Sequence, residues 1–203
     1  MRMARETPAP GRTRRNRDTE ILQAATLEFS QKGYSAASLQ DIADRVGILK
    51  GSLYHYIDSK ESLLFRILQS SHEEAERIMA EVDGLQLPVE ERLSEYLRRL
   101  SKWYLANLDR ASLYMNEWRY LDGEYGKTVR AQRRRFSAYL LGMVTQAKEA
   151  GLARADLDED LATKFILSAI SSMPSWYRTG APKRPAAVAI EIARLSSSVV
   201  FVR

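Results

Sequence analysis

One stretch of the chain constrains its fold more than any other: Ser38-Leu39-Gln40-Asp41-Ile42-Ala43-Asp44-Arg45-Val46-Gly47, continued through Ile48 to Lys60. It reads as two short helices pinched around a glycine, followed by the start of a third. Ser38-x-x-Asp41 is a capping box, in which the serine hydroxyl takes an orphan N–H of the first turn and the carboxylate reaches back to the backbone. Leu39, Ile42, Ala43 and Val46 then recur at three- and four-residue spacing, giving one apolar face, with Ala43 small where two helices cross. Gly47 follows the last apolar position and suits the left-handed conformation that ends a helix. The next helix is predicted from Leu49 to Tyr56, with Leu53 inward and Ile48 and Tyr56 flanking the same core. Lys50, Ser52, Tyr54 and His55 are left outside. Asp58-x-x-Glu61 and Ser59 offer a cap for the helix after it. A plain helical hairpin with a glycine turn is the bland alternative. The whole run and its flanks instead fit a helix-turn-helix, whose second helix enters the DNA major groove.

The flanks carry a resemblance. Ile21-Leu22-x-Ala24-Ala25-x-x-x-Phe29-x-x-x-Gly33-Tyr34 precedes the capping box, and Gly51-Ser52-Leu53-Tyr54-His55-Tyr56-Ile57-x-Ser59-Lys60-Glu61-x-Leu63 follows it. Together they cover about residues 17–65 and resemble the N-terminal domain of TetR-family transcriptional regulators. Ile57 departs from the family's usual Phe, and Leu49-Lys50 stands where a small residue often sits. Leu49 therefore bears on which bases are touched. The resemblance implies an all-α chain, with a three-helix helix-turn-helix domain and a C-terminal helical domain for ligand binding and dimerisation. The layout is then a basic arm over residues 1–16, the DNA-binding domain over 17–64 and the rear domain over 65–203. In this family the last two helices pair across a homodimer as a four-helix bundle.

Charge is concentrated. Residues 1–17 hold six arginines against Glu6 alone, which accounts for the whole net charge of +5 and leaves residues 18–203 neutral. Pro8, Pro10 and Gly11 make this segment a disordered arm by composition. It is either a solubilising tail or an arm that meets phosphates or the minor groove beside the helix-turn-helix, with Arg12, Arg14 and Arg15 as its contacts. There is no cysteine, which excludes disulfides, thiol chemistry and cysteine metal sites, and the only histidines are His55 and His72. No metal site, cofactor or catalytic constellation is expected. No signal peptide is visible, and no apolar run approaches the roughly 20 residues of a membrane helix. The expected location is the cytoplasm.

The remaining signals are all helical. Helices are predicted near Asp18–Lys32, Ser59–Val82 (broken by Asp83-Gly84), Val89–Leu108, Ala111–Leu121, Tyr125–Ala150, Leu161–Trp176 and Pro185–Val200, giving about nine in all. Pro174 should kink or end its helix near Met173. Aromatic and methionine residues cluster over residues 103–177, as plain core or as the lining of an adaptable pocket. Trp103, Tyr104, Met115, Trp118, Phe136, Tyr139, Met143, Phe165, Met173, Trp176 and Tyr177 are the candidate lining. Arg133, from the cluster Arg130, Arg133, Arg134 and Arg135, is placed at the pocket mouth. Trp176-Tyr177-Arg178-Thr179-Gly180-Ala181-Pro182, after a helix opened by Asp156-x-Asp158, resembles TetR-type regulators of lipid and steroid catabolism, several of which respond to acyl-CoA thioesters. The effector is then an acyl-CoA, with arginines for its phosphates, or a neutral apolar molecule.

The mechanism this implies is a ligand-responsive repressor, bound as a dimer to an inverted-repeat operator in double-stranded DNA. Lys50, Ser52, Leu53, Tyr54 and His55 face the major groove, Leu53 partly as core and partly against a thymine methyl. Tyr34, Ser38, Tyr56 and Lys60 hold phosphates and fix register. The competing reading is a sequence-tolerant or architectural DNA-binding protein acting through the arm. The neutral body argues against it.

Overall fold

A computed structural model describes residues 14–201; the expectations for Arg12 and for the rest of the arm before Arg14 lie outside the described residues. Ten α-helical segments follow one another: α1 Arg14–Lys32, α2 Leu39–Val46, α3 Lys50–Leu53, α4 Lys60–Gly84, α5 Val89–Ala106, α6 Leu108–Asn116, α7 Gly123–Glu149, α8 Glu159–Ser171, α9 Met173–Trp176 and α10 Pro185–Val200. A single 3-10 turn, Trp118–Tyr120, joins α6 to α7. The lone bridge Ala153–Phe201 is the only strand-like pairing among the described residues. Counting the one-turn α9 as the tail of α8 returns the expected nine.

The local chemistry explains most boundaries. Both halves of the Ser38–Asp41 capping box form, and Gly47 closes α2 at φ 72°. Pro174 lacks an N–H and has a fixed φ, so the helix breaks at Ser172 and restarts for one turn. Several boundaries differ from prediction, among them α6, which runs Leu108–Asn116 where Ala111–Leu121 was expected; three of the differences have a local cause. α3 is one turn long instead of reaching Tyr56, because Leu49 has no side chain able to cap it and Gly51 and Ser52 are weak helix formers. α4 is capped by Ser59 and Ser62 rather than through Glu61, each serine hydroxyl accepting from the other's backbone N–H at 3.0 and 3.1 Å. α4 also runs on through Asp83 and Gly84; the chain turns only at Gln86, which sits at φ 51°.

Two apolar cores result. One gathers α1, α2, α3 and the first half of α4 around Ile21, Phe29, Ile42 and Leu53, and extends to Leu113, Leu121 and Val129. The other fills the rear with Leu93, Tyr96, Leu97, Leu100, Leu140 and Ile166, where α10 packs along α5. Met115 on α6 packs against both. α4 passes from the first core into the second, so anything that shifts its length moves the helix-turn-helix relative to the rear.

Candidate DNA-reading and effector sites

The helix-turn-helix is held by a buried acid. Glu28 on α1 is 3% exposed. Its carboxylate accepts from Arg45 Nε of α2 at 2.7 Å and pairs with Lys32 Nζ at 2.9 Å. Lys32, then Arg45, outweigh the cost of burial and keep this carboxyl below its ordinary pKa. Asp41 is lowered further, by the Ser38 hydroxyl first and Lys32 second.

Around this frame Lys50, Tyr54 and His55 are exposed and Ser52 is half-buried. Leu53 is not available to a groove. It is 0% exposed, because a one-turn α3 must anchor itself in the core through that side chain. Leu49 takes the outer position instead, at 80% exposed. Arg14 Nη2 donates to the His55 carbonyl at 3.5 Å, so α1 begins beside α3, and Arg15 is exposed nearby in sequence.

Of the groups expected to hold phosphates, Ser38, Tyr34 and Lys60 are already partnered. The Ser38 hydroxyl accepts from the Asp41 N–H at 3.1 Å and donates to its carboxylate at 2.6 Å, while remaining exposed. Tyr34 meets Phe29 edge-on at 5.2 Å, and Lys60 lies 4.5 Å over its ring while donating to the Ser35 carbonyl at 3.1 Å. Partial burial lowers the Lys60 pKa and, with the Glu61 charge second, raises that of Tyr34. Tyr56 is half-buried against the first core.

Behind the reading head a cavity of about 470 Å³ opens among α5, α6, α7 and α8. Its apolar wall is Leu100, Tyr104, Tyr114, Met115, Trp118, Phe136, Leu167 and Ile170, and Ser137, Ser168 and Ser171 add hydroxyls. Four cations line it, Arg130, Arg133, Arg134 and Lys164, and among the described residues no carboxylate does. Arg133 is the inner one. Its Nη1 donates to the Tyr114 carbonyl at 2.8 Å, and its guanidinium lies 4.9 Å from the Trp118 ring and 5.3 Å from that of Tyr114. Lys164 pairs with Asp160.

Five of the expected lining residues meet there: Tyr104, Met115, Trp118, Arg133 and Phe136. The others do not. Trp103 faces away, under the Arg110 guanidinium at 5.5 Å. Tyr139 is turned to α4, where its hydroxyl donates to Asp83 at 2.7 Å. Met143 and Met173 are core, and the Tyr177 hydroxyl donates to the Lys183 carbonyl at 3.1 Å. Phe165 and Trp176 are 60% and 49% exposed. Composition marks a region, whereas the helix face decides which side chains converge. Met143 lies seven residues beyond Phe136, about 10 Å along the axis. Arg130, Arg134 and Ser137, and likewise Lys164, Leu167, Ser168 and Ser171, were missed although each set shares a face with a helical period. That spacing was readable; the docking of those two faces on each other was not.

The cavity and the reading head are joined by the 3-10 turn. Trp118 lines the cavity, and Tyr120, two residues on, lies with its ring 5.2 Å from Tyr34. The Asp122 N–H then donates to Glu61 at 2.9 Å, and Tyr125 stacks on Phe65 at 4.3 Å. Gly126 has no side-chain alternative here, since a Cβ would collide with the Leu121 carbonyl. On the far side, α8 and α10 pack together and leave Leu161, Phe165, Ile190 and Leu195 exposed at 64, 60, 57 and 48%. No described helix is long and apolar enough to cross a membrane, and no described group of three His, Cys, Asp or Glu is placed to hold a metal.

Comparison with known proteins agrees with this fold. Residues 21–67 match the profile of bacterial regulatory proteins of the tetR family, and residues 86–200 that of the tetracyclin repressor-like C-terminal domain. The chain is similar to the HTH-type transcriptional repressor KstR2 of Mycobacterium tuberculosis, with 30% identity over 179 residues, 82% of this chain and 84% of that one. It is 29% identical over 165 residues to KstR2 of Rhodococcus jostii, 81% of each chain. Among solved structures, ketosteroid regulator KstR2 of M. tuberculosis superposes with a TM-score of 0.86 at 24% identity, over 92% of this chain and 96% of that one. AibR, solved with isovaleryl coenzyme A and operator DNA, superposes with a TM-score of 0.79 at 23% identity, over 91% and 98%. The chain belongs to the TetR family of bacterial transcriptional regulators.

Proposed function

We propose that this protein is a ligand-responsive transcriptional repressor, acting in the cytoplasm on operator DNA and performing no chemistry on DNA or ligand. Two copies pair through the exposed leucine, phenylalanine and isoleucine side chains of α8 and α10, which removes that apolar face from water. The two α3 segments then read an inverted repeat about one turn, or roughly 35 Å, apart. Lys50, Ser52, Tyr54 and His55 supply the reading edge. Arg14 and Arg15, with Tyr34, Ser38, Tyr56 and Lys60, position the backbone. Exposure of Lys50, Tyr54 and His55 and the Arg14–His55 contact support this division.

The effector is an amphipathic anion of the acyl-CoA type. The observation that carries this is the cavity itself: an aromatic wall with four cations and no described acid. Its volume of about 470 Å³ falls within the range of small-molecule sites. An acyl group takes the wall, and phosphates meet the guanidiniums. The isovaleryl coenzyme A bound to AibR supports the same chemistry. Ligand and DNA favour different arrangements of one molecule and therefore oppose each other by linkage.

The test is fluorescence anisotropy on duplex from beside the protein's own gene against a scrambled duplex, with and without acyl-CoAs of graded chain length. Selective binding that an acyl-CoA reverses, and that the free acid or coenzyme A alone does not, is the expected result. Release by a neutral apolar compound but by no acyl-CoA overturns the effector assignment. Equal binding to both duplexes overturns the repressor reading in favour of sequence-tolerant binding.

A further inference from the structure

Leu49 is the most exposed large apolar residue of the described chain, at 80%, while its neighbours Ile48 and Leu53 are half-buried and buried. The fold does not use its side chain. It stands at the N-cap of α3 with φ −69° and ψ 143° and offers no capping oxygen to the helix behind it. A serine or aspartate there would stabilise α3, so leucine is a local cost. Lone exposed leucines are common and by themselves mean little. The position of this one is what matters. The N-terminal residues of a reading helix contact base edges, and beside Leu49 stand exposed Lys50, Tyr54 and His55, with Arg14 on the His55 carbonyl. A surface of cations and hydrogen-bonding groups suits DNA rather than an apolar protein partner. In the major groove the one apolar feature of a base edge is the thymine C5-methyl group.

We infer that Leu49 is a specificity-determining residue that reads a thymine methyl in each half-site. This rests on the DNA-reading role of α3 proposed above. It also takes the place of Leu53, whose burial removes it from the groove. Gly51 follows two residues later with nothing within 4 Å of where a Cβ would stand, so the backbone there can approach the groove closely.

The experiment starts with selection of preferred duplexes by the full chain. Each thymine of the selected site is then replaced by deoxyuridine, which removes the methyl and keeps every hydrogen-bonding group. Affinities are measured for the wild-type chain and Leu49→Ala, whose thermal melts establish that both are equally folded. The expected result is one thymine per half-site at which loss of the methyl weakens wild-type binding about four-fold, the fold-change for roughly one buried methyl, and about fifteen-fold when both half-sites are changed. Leu49→Ala should be indifferent to uracil at that position, and 5-methylcytosine opposite guanine there should recover part of the wild-type affinity lost with unmethylated cytosine. Uracil sensitivity of equal size in wild type and Leu49→Ala overturns the inference, as does its absence at every thymine. Failure of selection to return any preferred sequence is a different outcome; it removes the reading role of α3 and the inference with it.

Discussion

The rings of Tyr34 and Tyr120 lie 5.2 Å apart, inclined at 41°. Tyr34 belongs to the loop after α1, and Tyr120 ends the 3-10 turn whose first residue, Trp118, forms part of the cavity wall. A shift of Trp118 therefore reaches the helix-turn-helix within one turn of chain, in addition to whatever travels along α4. Aromatic pairs contribute roughly 0.5–1.5 kcal/mol beyond burial, a sizeable part of a typical coupling of about 1–3 kcal/mol. Tyr120→Ala should keep operator affinity close to wild type and reduce effector-induced release about two- to ten-fold. The measurement is the ratio of operator affinities with and without saturating effector. An unchanged ratio would assign the coupling to α4 alone.

Leu49 and Leu53 make a matched pair of substitutions four residues apart. Leu53→Ala opens a hole in the first core and should cost about 2–5 kcal/mol. Leu49→Ala removes nothing from the core and should stay within about 0.5 kcal/mol of wild type. Urea denaturation of the two variants checks the contrast.

Acid should weaken the helix-turn-helix through Asp41. Its carboxyl is held below the ordinary 3.8 by the Ser38 hydroxyl and then by Lys32. A lowered folded-state pKa contributes stability that is complete above the unfolded value and is lost as pH falls below it. Asp41→Asn should therefore melt below wild type at pH 7, and the gap should close as pH drops from about 4. Ser38→Ala should cost about 1 kcal/mol at neutral pH by removing the cap itself. Differential scanning calorimetry between pH 3 and 7 follows both. A pH-independent gap for Asp41→Asn would contradict the assignment.

Arg133 and Arg134 separate structure from recognition at the cavity. Arg134 is exposed and has no ion-pair partner among the described residues, so Arg134→Ala should lower affinity for a phosphate-bearing effector about three- to ten-fold while stability holds. Arg133 also holds the Tyr114 carbonyl and two aromatic rings. Arg133→Ala should lose effector binding and about 1–2 kcal/mol of stability together. Isothermal titration with acyl-CoA, paired with thermal melts, distinguishes the two.

Phe165→Asp tests the dimer surface. Phe165 is 60% exposed on α8, so the change should leave the single chain folded and put a charge into the paired face. Sedimentation should move from dimer to monomer, and operator affinity should fall at least a hundred-fold because only one reading head then engages at a time.

How far the sequence carried depended on range. The α2 cap, the Gly47 turn, the break at Pro174 and the span Pro185–Val200 were legible because each rests on residues within four positions of one another. Leu53 and Leu49 show the limit at a one-turn helix, where a predicted longer helix would have shared the inward role among more residues. Gly84 shows another. A glycine next to aspartate reads as a stop, yet α4 continues because Val82 is buried against the second core and Tyr139 holds Asp83. In the cavity, Phe136 and Arg133 were found and Lys164 was not. Its part depends on α8 docking beside α7, which no local spacing encodes.

Arg14 against the His55 carbonyl places the start of α1 beside the proposed reading edge. All of the net +5 lies in residues 1–17, and that segment leads directly into α1 beside the reading edge. On the proposed docking, the body contributes direction and the arm contributes attraction. Dissolved salt competes with every phosphate contact, those proposed for Lys60 as well as those of the arm. Ionic strength then works as a volume control on this regulator: it sets how much of the operator is occupied at a given protein concentration.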